Sequence, residues 1–221
     1  SDFSRNSVAK QIRSYALSVL HADIILLTSF FDGFKDNTVI DFDKNFRLPK
    51  IVSIIYDLIP LIMPMMYLDN DEEYKDFYYK RVLDLKKLDA LFTISNSAKN
   101  ELIKYLNYEP NNVFNISAAS DNNVFYSDLK GNEPISIDLN DFGKYIFCSC
   151  AADPRKNLFR LLKAYSLLSQ NLISKHKLVL SGPFSFPEIQ LINHWLDELN
   201  LSPQNVCILG YVSDYDLANL Y

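Results

Sequence analysis

Glycine is scarce: five residues in 221, and none of them forms a glycine-rich turn behind a strand. A dinucleotide oxidoreductase is therefore disfavoured, because its G-x-G-x-x-G loop needs glycines where the backbone approaches a pyrophosphate. Cysteine is scarcer still. Cys148, Cys150 and Cys207 are too few for a disulfide framework, and with three histidines they make no group of zinc-finger spacing. A reducing cytoplasm is the simplest compartment. No basic excess exists, since 22 Lys plus Arg stand against 27 Asp plus Glu, a net charge of −5. A nucleic-acid partner is not expected from that balance. The longest apolar stretch, 51–68, is broken by Asp57, Pro60 and Pro64, so no bilayer-spanning helix is expected. The opening residues SDFSRNSVAK lack the apolar core of a secretion signal. Repeats of solenoid period and low-complexity tracts are missing as well.

What is present is apolar: 48% of the residues are hydrophobic and 14% aromatic, which rules out disorder and supplies one large domain or two small ones. Short apolar runs alternate with helical periodicity. Ile12, Tyr15, Ala16, Val19 and Leu20 recur at helical spacing, and the continuous run 23–28 follows as a strand buried on both faces. The run 51–57 is a second strand, a helix is expected over 71–88, a strand over 90–94, and a helix over 96–106 capped by Ser95. A short strand over 113–116 closes this half. Residues 126–140 turn polar and irregular, as a linker does. The pattern then restarts: strands at 145–148, 177–181 and 206–209 enclose helices at 157–169 and 187–199, and Ser213 to Asp216 resembles a capping box. Alternating strands and helices imply an α/β fold of two doubly wound parallel sheets, with ligands beyond the carboxyl ends of the strands.

The segment from Cys148 to Asn157 carries the sharpest chemistry. Arg155 and Lys156 sit where a strand hands over to an amphipathic helix, and two cations at free helix amides suit a diphosphate. Equally, Asp153 and Pro154 open a plain turn, Asn157 caps the helix, and both cations are solvated. Gly182 and Gly210 read as strand-end turns, and 57–60 as a strand stop. Cys148 and Cys150 point to one side of a strand, as a buried apolar pair does. His21, His176 and His194 are structural or exposed. The aromatics of 74–79 read as packing.

The run Ala152-Asp153-Pro154-Arg155-Lys156-Asn157-Leu158, with Arg160-Leu161-Leu162-Lys163-Ala164-Tyr165 behind it, resembles the donor-domain opening of the group 1 glycosyl transferases. Residues 178–183 and 209–214, with Leu217 and 220–221, are similar to the next two landmarks of that family. Residues 56–60 and 88–95 look like the acceptor half of its polysaccharide mannosyl transferase subgroup. The resemblance covers roughly residues 10–221. It implies the GT-B fold of two Rossmann-like domains: an acceptor-side domain over 1–126, a linker over 127–140, and a donor domain over 141–221. It implies a retaining enzyme that moves a hexose from a nucleotide diphosphate sugar to a saccharide or lipid-linked saccharide acceptor in polysaccharide biosynthesis. No metal and no cofactor beyond the donor substrate are implied, because cations neutralise the leaving diphosphate. Carried over, Lys156 is the donor-phosphate cation and Arg155 its partner, with Asn157 beside them. Gly182 lets the backbone turn next to the donor, Tyr211 and Val212 lie near the nucleobase, and Tyr56 and Asp57 build the acceptor pocket. Catalysis rests on Asp57, Arg155 and Lys156, in a site between domains that closes about a hinge.

The chain departs from that family at several points. Cys150 stands where some relatives have a phosphate arginine, and Tyr56 where many have histidine. The first strand with its glycine-rich turn and a donor-binding glutamate pair are missing, so both domains read as incomplete and the chain as an interior fragment, inactive alone. A non-catalytic GT-B-like subunit or sugar-binding partner stays open, as does another two-Rossmann sugar enzyme such as an epimerase or phosphorylase. The resemblance also implies a cytoplasmic protein with peripheral membrane contact at the inner face, although residues 8–20 carry only Lys10 and Arg13 toward it.

Overall fold

The computed structural model describes residues 2–36, 38–125 and 136–221; most of the expected linker, 126–135, lies outside them. The chain divides into two compact units, 1–119 and 120–221. In the first, α1 (Asp2–Val19) leads to β1 (Ile24–Leu27) and, after a long connection, β2 (Lys50–Ile55). Two single-turn helices follow, α2 (Ile59–Ile62) and α3 (Pro64–Tyr67), each opened by the fixed φ of a proline. Then come α4 (Glu72–Asp84), β3 (Ala90–Thr93), α5 (Asn96–Leu106) and β4 (Val113–Asn115). The four strands are parallel in the order β1-β2-β3-β4.

Local chemistry sets the helix limits. The Asp71 carboxylate accepts from the Tyr74 amide at 2.9 Å to start α4, and the Ser95 hydroxyl accepts from the Ala98 amide at 3.1 Å to start α5. Asn107 ends α5 in the left-handed region, φ 47°. The core between sheet and helices is built by Leu27, Ile51, Ile55, Leu58, Leu85, Leu91, Leu102 and Val113. Each such side chain contributes about 1.5–3 kcal/mol relative to exposure. The aromatic stretch packs as expected: Tyr78 stacks on Phe31 with ring centres 4.9 Å apart, and Phe34 lies against Tyr74 and Phe77. One expectation is corrected. β1 is not buried on both faces, because it is the edge strand among the described residues, and Ile24 and Leu26 are 59% and 47% exposed.

The second unit runs β5 (Lys144–Ser149), α6 (Leu158–Ser166), α7 (Gln170–Lys175), β6 (His176–Ser181), α8 (Phe186–Glu198), β7 (Val206–Gly210) and α9 (Asp214–Leu220). Its three strands are parallel in the order β5-β6-β7. The sequence reads as one helix over 157–169; the structure ends α6 at Ser166 and starts α7 after an extended Ser169, which brings Ile173 into the core. Leu158, Leu162 and Tyr165 form the buried stripe of α6, and Phe159 on its flank meets Trp195 of α8 edge to face at 5.5 Å. The Tyr165 hydroxyl donates to the His176 carbonyl at 2.7 Å. Glu188 closes the start of α8 by accepting from the Ser185 amide and hydroxyl at 2.7 and 2.6 Å. At α9 the expected cap is extended: Ser213 accepts from the Asp216 amide, while the Asp216 carboxylate accepts from the Ser213 hydroxyl and from both the amide and hydroxyl of Ser136. No helix among the described residues is long and apolar enough to cross a membrane.

Candidate functional site

Three parallel strands end together in the second unit, and their carboxyl ends enclose a cavity of about 240 Å³. Ser149 ends β5 with Cys150 and Ala151 after it, Ser181 ends β6 with Gly182 and Pro183 after it, and Tyr211 and Val212 follow β7. Backbone hydrogen bonds knit these ends. The Cys150 amide donates to the Ser181 carbonyl at 2.8 Å and the Gly182 amide to the Gly210 carbonyl at 2.9 Å. The strands approach so closely that a β-carbon on Gly182 would lie 1.7 Å from the Cys150 carbonyl oxygen. Glycine is required there by space. Gly210, at φ 75°, turns the chain out of β7.

Lys156 reaches this cavity from the turn between β5 and α6. Pro154 fixes the turn, the Lys156 amide donates to the Asp153 carbonyl at 2.9 Å, and Asn157 takes the left-handed region at φ 55° before α6 begins. Lys156 makes no ion pair among the described residues. Arg155 does: its Nη2 lies 2.8 Å from Asp153, and its Nε 3.1 Å from the same carboxylate. This pair is partly exposed, so it holds the turn more than it stabilises the fold.

Of the residues assigned to the donor, Lys156, Gly182, Tyr211 and Val212 line the cavity; Arg155 and Asn157 do not. Tyr56 and Asp57 lie in the first unit, just beyond the end of β2. Asp57 there accepts from the Ile59 amide at 3.0 Å, a local turn bond at the start of α2. Tyr211, one of the lining residues, is 79% exposed. Asp214 and Leu217 of α9 also line the cavity; the sequence places them in a family landmark but not among the donor-binding residues. The signal was available: Asp214 follows the capping serine, and its helix begins where β7 ends.

Cys150 sets the electrostatic tone of the wall. Burial pushes its thiol up to about 12, with the neighbouring Cys148 adding to the rise and Lys156 opposing it. The thiol is thus protonated at neutral pH and is a packing group, not a nucleophile. Among the described residues no three His, Cys, Asp or Glu side chains are grouped to hold a metal ion.

Parallel α/β units define a class of fold, and solved structures share that fold. Sucrose-phosphate synthase from Thermosynechococcus elongatus superposes with a TM-score of 0.60 at 14% identity, over 94% of this chain and 49% of that one. Anabaena HepE in complex with UDP-glucose does so with a TM-score of 0.53 at 13% identity, over 75% of this chain and 43% of that one. The fold is that of the GT-B glycosyltransferases, with Rossmann-like parallel units. No family model matches the chain. In sequence it is a relative of the serotype-specific mannosyltransferase WbdA of Escherichia coli, 29% identical over 98% of this chain. The chain spans 27% of that relative's length. The likeness to the group 1 mannosyl transferases drawn from the sequence is borne out by these relatives.

Proposed function

We propose that the chain belongs to a retaining hexosyltransferase that uses a nucleotide diphosphate sugar to extend a saccharide or lipid-linked saccharide in polysaccharide biosynthesis. The observation that carries this reading is Lys156, a cation without an ion pair among the described residues, in a cavity at the carboxyl ends of three parallel strands. Such crevices are where open α/β sheets bind nucleotides. The relative's name, mannosyltransferase, makes a mannosyl donor the first to test.

In the proposed reaction the bond from the sugar's anomeric carbon to the diphosphate breaks, the diphosphate leaves with the electron pair, and the acceptor hydroxyl attacks from the same face and passes its proton to the departing diphosphate oxygen. Negative charge grows on the leaving diphosphate. Lys156 is the group placed to meet it, in a setting where a preorganised cation is worth more than in water. Arg155, through Asp153, holds the turn that presents Lys156, and Asn157 supplies that turn's left-handed residue. Gly182 allows the diphosphate to approach the backbone, while Tyr211 and Val212 flank the base. Tyr56 and Asp57 stand on the acceptor side. Neither metal nor cofactor is assigned a part. The reading places the enzyme in the cytoplasm, at a membrane face when the acceptor is lipid-linked.

A thermal-shift screen of UDP, GDP and their sugars, run in EDTA, tests this. At saturating nucleotide, a hundredfold above Kd, wild type gains about 2.7 kcal/mol, and Lys156→Ala loses most of the shift. A shift that survives the substitution removes Lys156 from the site.

A further inference from the structure

A second cavity, of about 90 Å³, lies wholly within the first unit. Three lysines converge on it from separate stretches of chain: Lys10 from α1, Lys80 from α4, and Lys87 from the turn after α4. Asp41 and Asp84 also line it, but both carboxylates are already engaged. Asp41 accepts from Nη1 of Arg81 at 2.6 Å, and Asp84 pairs with Lys87 at 2.5 Å. Lys10 and Lys80 make no ion pair among the described residues. Positive charge is therefore in excess. Arg81, whose charge is matched by Asp41, is 6% exposed, and its guanidinium carbon lies 5.0 Å from the Phe77 ring centre and 6.0 Å from that of Phe30.

Repulsion between lysines on a free surface is relieved by splaying their stems apart. Here the backbone that carries Lys10 is tied down: the buried Ser14 hydroxyl donates to the Lys10 carbonyl at 2.7 Å and accepts from the Asp43 amide at 2.8 Å. Phe30 and Phe42 also line the cavity, and apolar rings beside a charge strengthen its interactions. The space accommodates several waters or one tetrahedral oxyanion. An ammonium group is a point charge with three donors, suited to oxygens presented from different directions.

We propose that this cavity binds a phosphate group, either free phosphate or the phosphoryl end of a saccharide phosphate. Lys10 and Lys80 supply the uncompensated charge and Lys87 a donor beyond its pair with Asp84. The site is separate from the cavity around Lys156, whose walls come from residues 149–217.

Calorimetric titration of inorganic phosphate tests it, using the full chain with Lys156→Ala so that phosphate held by Lys156 does not contribute, at ionic strength fixed with chloride. One saturable equivalent is expected. The Lys10→Gln/Lys80→Gln pair weakens Kd by about tenfold or more, as loss of charge-assisted hydrogen bonds requires. Lys80→Gln alone, at an exposed helix position, gives a smaller loss with an unchanged thermal midpoint in chloride. Hexose 1-phosphate binding tighter than inorganic phosphate assigns the site to a saccharide phosphate, and equal binding assigns it to phosphate alone. No saturable heat above the chloride control, or a Kd unmoved by the substitutions, overturns the proposal.

Discussion

Gly182 sits where two strand ends nearly touch, and any side chain there meets the Cys150 carbonyl. Gly182→Ala forces backbone apart and is expected to destabilise the fold by about 1–3 kcal/mol, measured as a lower urea midpoint. Asp216 is the other residue with much at stake. Burial alone raises its pKa, but hydrogen bonds from Ser136, Ser213 and the amide of Ile137 outweigh that and hold the carboxyl below the ordinary aspartate range. A carboxyl depressed in the folded state contributes stability that is complete above its unfolded pKa and is lost as pH falls through the folded value. The chain should therefore lose stability below about pH 4. Asp216→Asn costs about 1–3 kcal/mol at neutral pH and flattens that acid limb, which thermal midpoints across pH 2–6 reveal.

At the scale of elements, caps carry separable energies. Ser95→Ala removes the acceptor for the Ala98 amide and is expected to cost about 1 kcal/mol, read by chemical denaturation; a loss below a few tenths means that water replaces the hydroxyl. The same caps explain why so many elements were legible: Ser95 and Ser213 each mark a helix start in the residues themselves. The β1 run was misread for a different reason. Continuous apolar residues say that a strand is apolar on both faces, but not whether neighbours cover both, and Ile24 and Leu26 are exposed. The break between α6 and α7 was also hidden, since Leu168 continues the helical spacing of Leu158, Leu161, Leu162 and Tyr165, while Ile173 beyond it belongs to the same core. Arg155 and Lys156 are adjacent in sequence, yet Asp153 two residues back claims the first and leaves the second. Spacing alone does not distinguish them.

Over the whole chain, two separate cores follow from the two alternations of strand and helix, which is why the fold class could be read early. The cavity around Lys156 was half legible, because its strand ends are sequence features while Asp214 and Leu217 enter only through the placement of α9. Leu102→Ala, in the first core, is expected to cost about 2–5 kcal/mol. Calorimetry should show the first unit unfolding earlier while the affinity for the nucleotide proposed to bind at Lys156 is unchanged; a parallel fall in affinity would contradict independent cores. Trp195 makes that separation directly observable. It is the chain's sole tryptophan and rests against Phe159 inside the second unit. Indole emission therefore reports melting of the second core alone, whereas circular dichroism sums both, and the gap between the two curves isolates the other half without any introduced label.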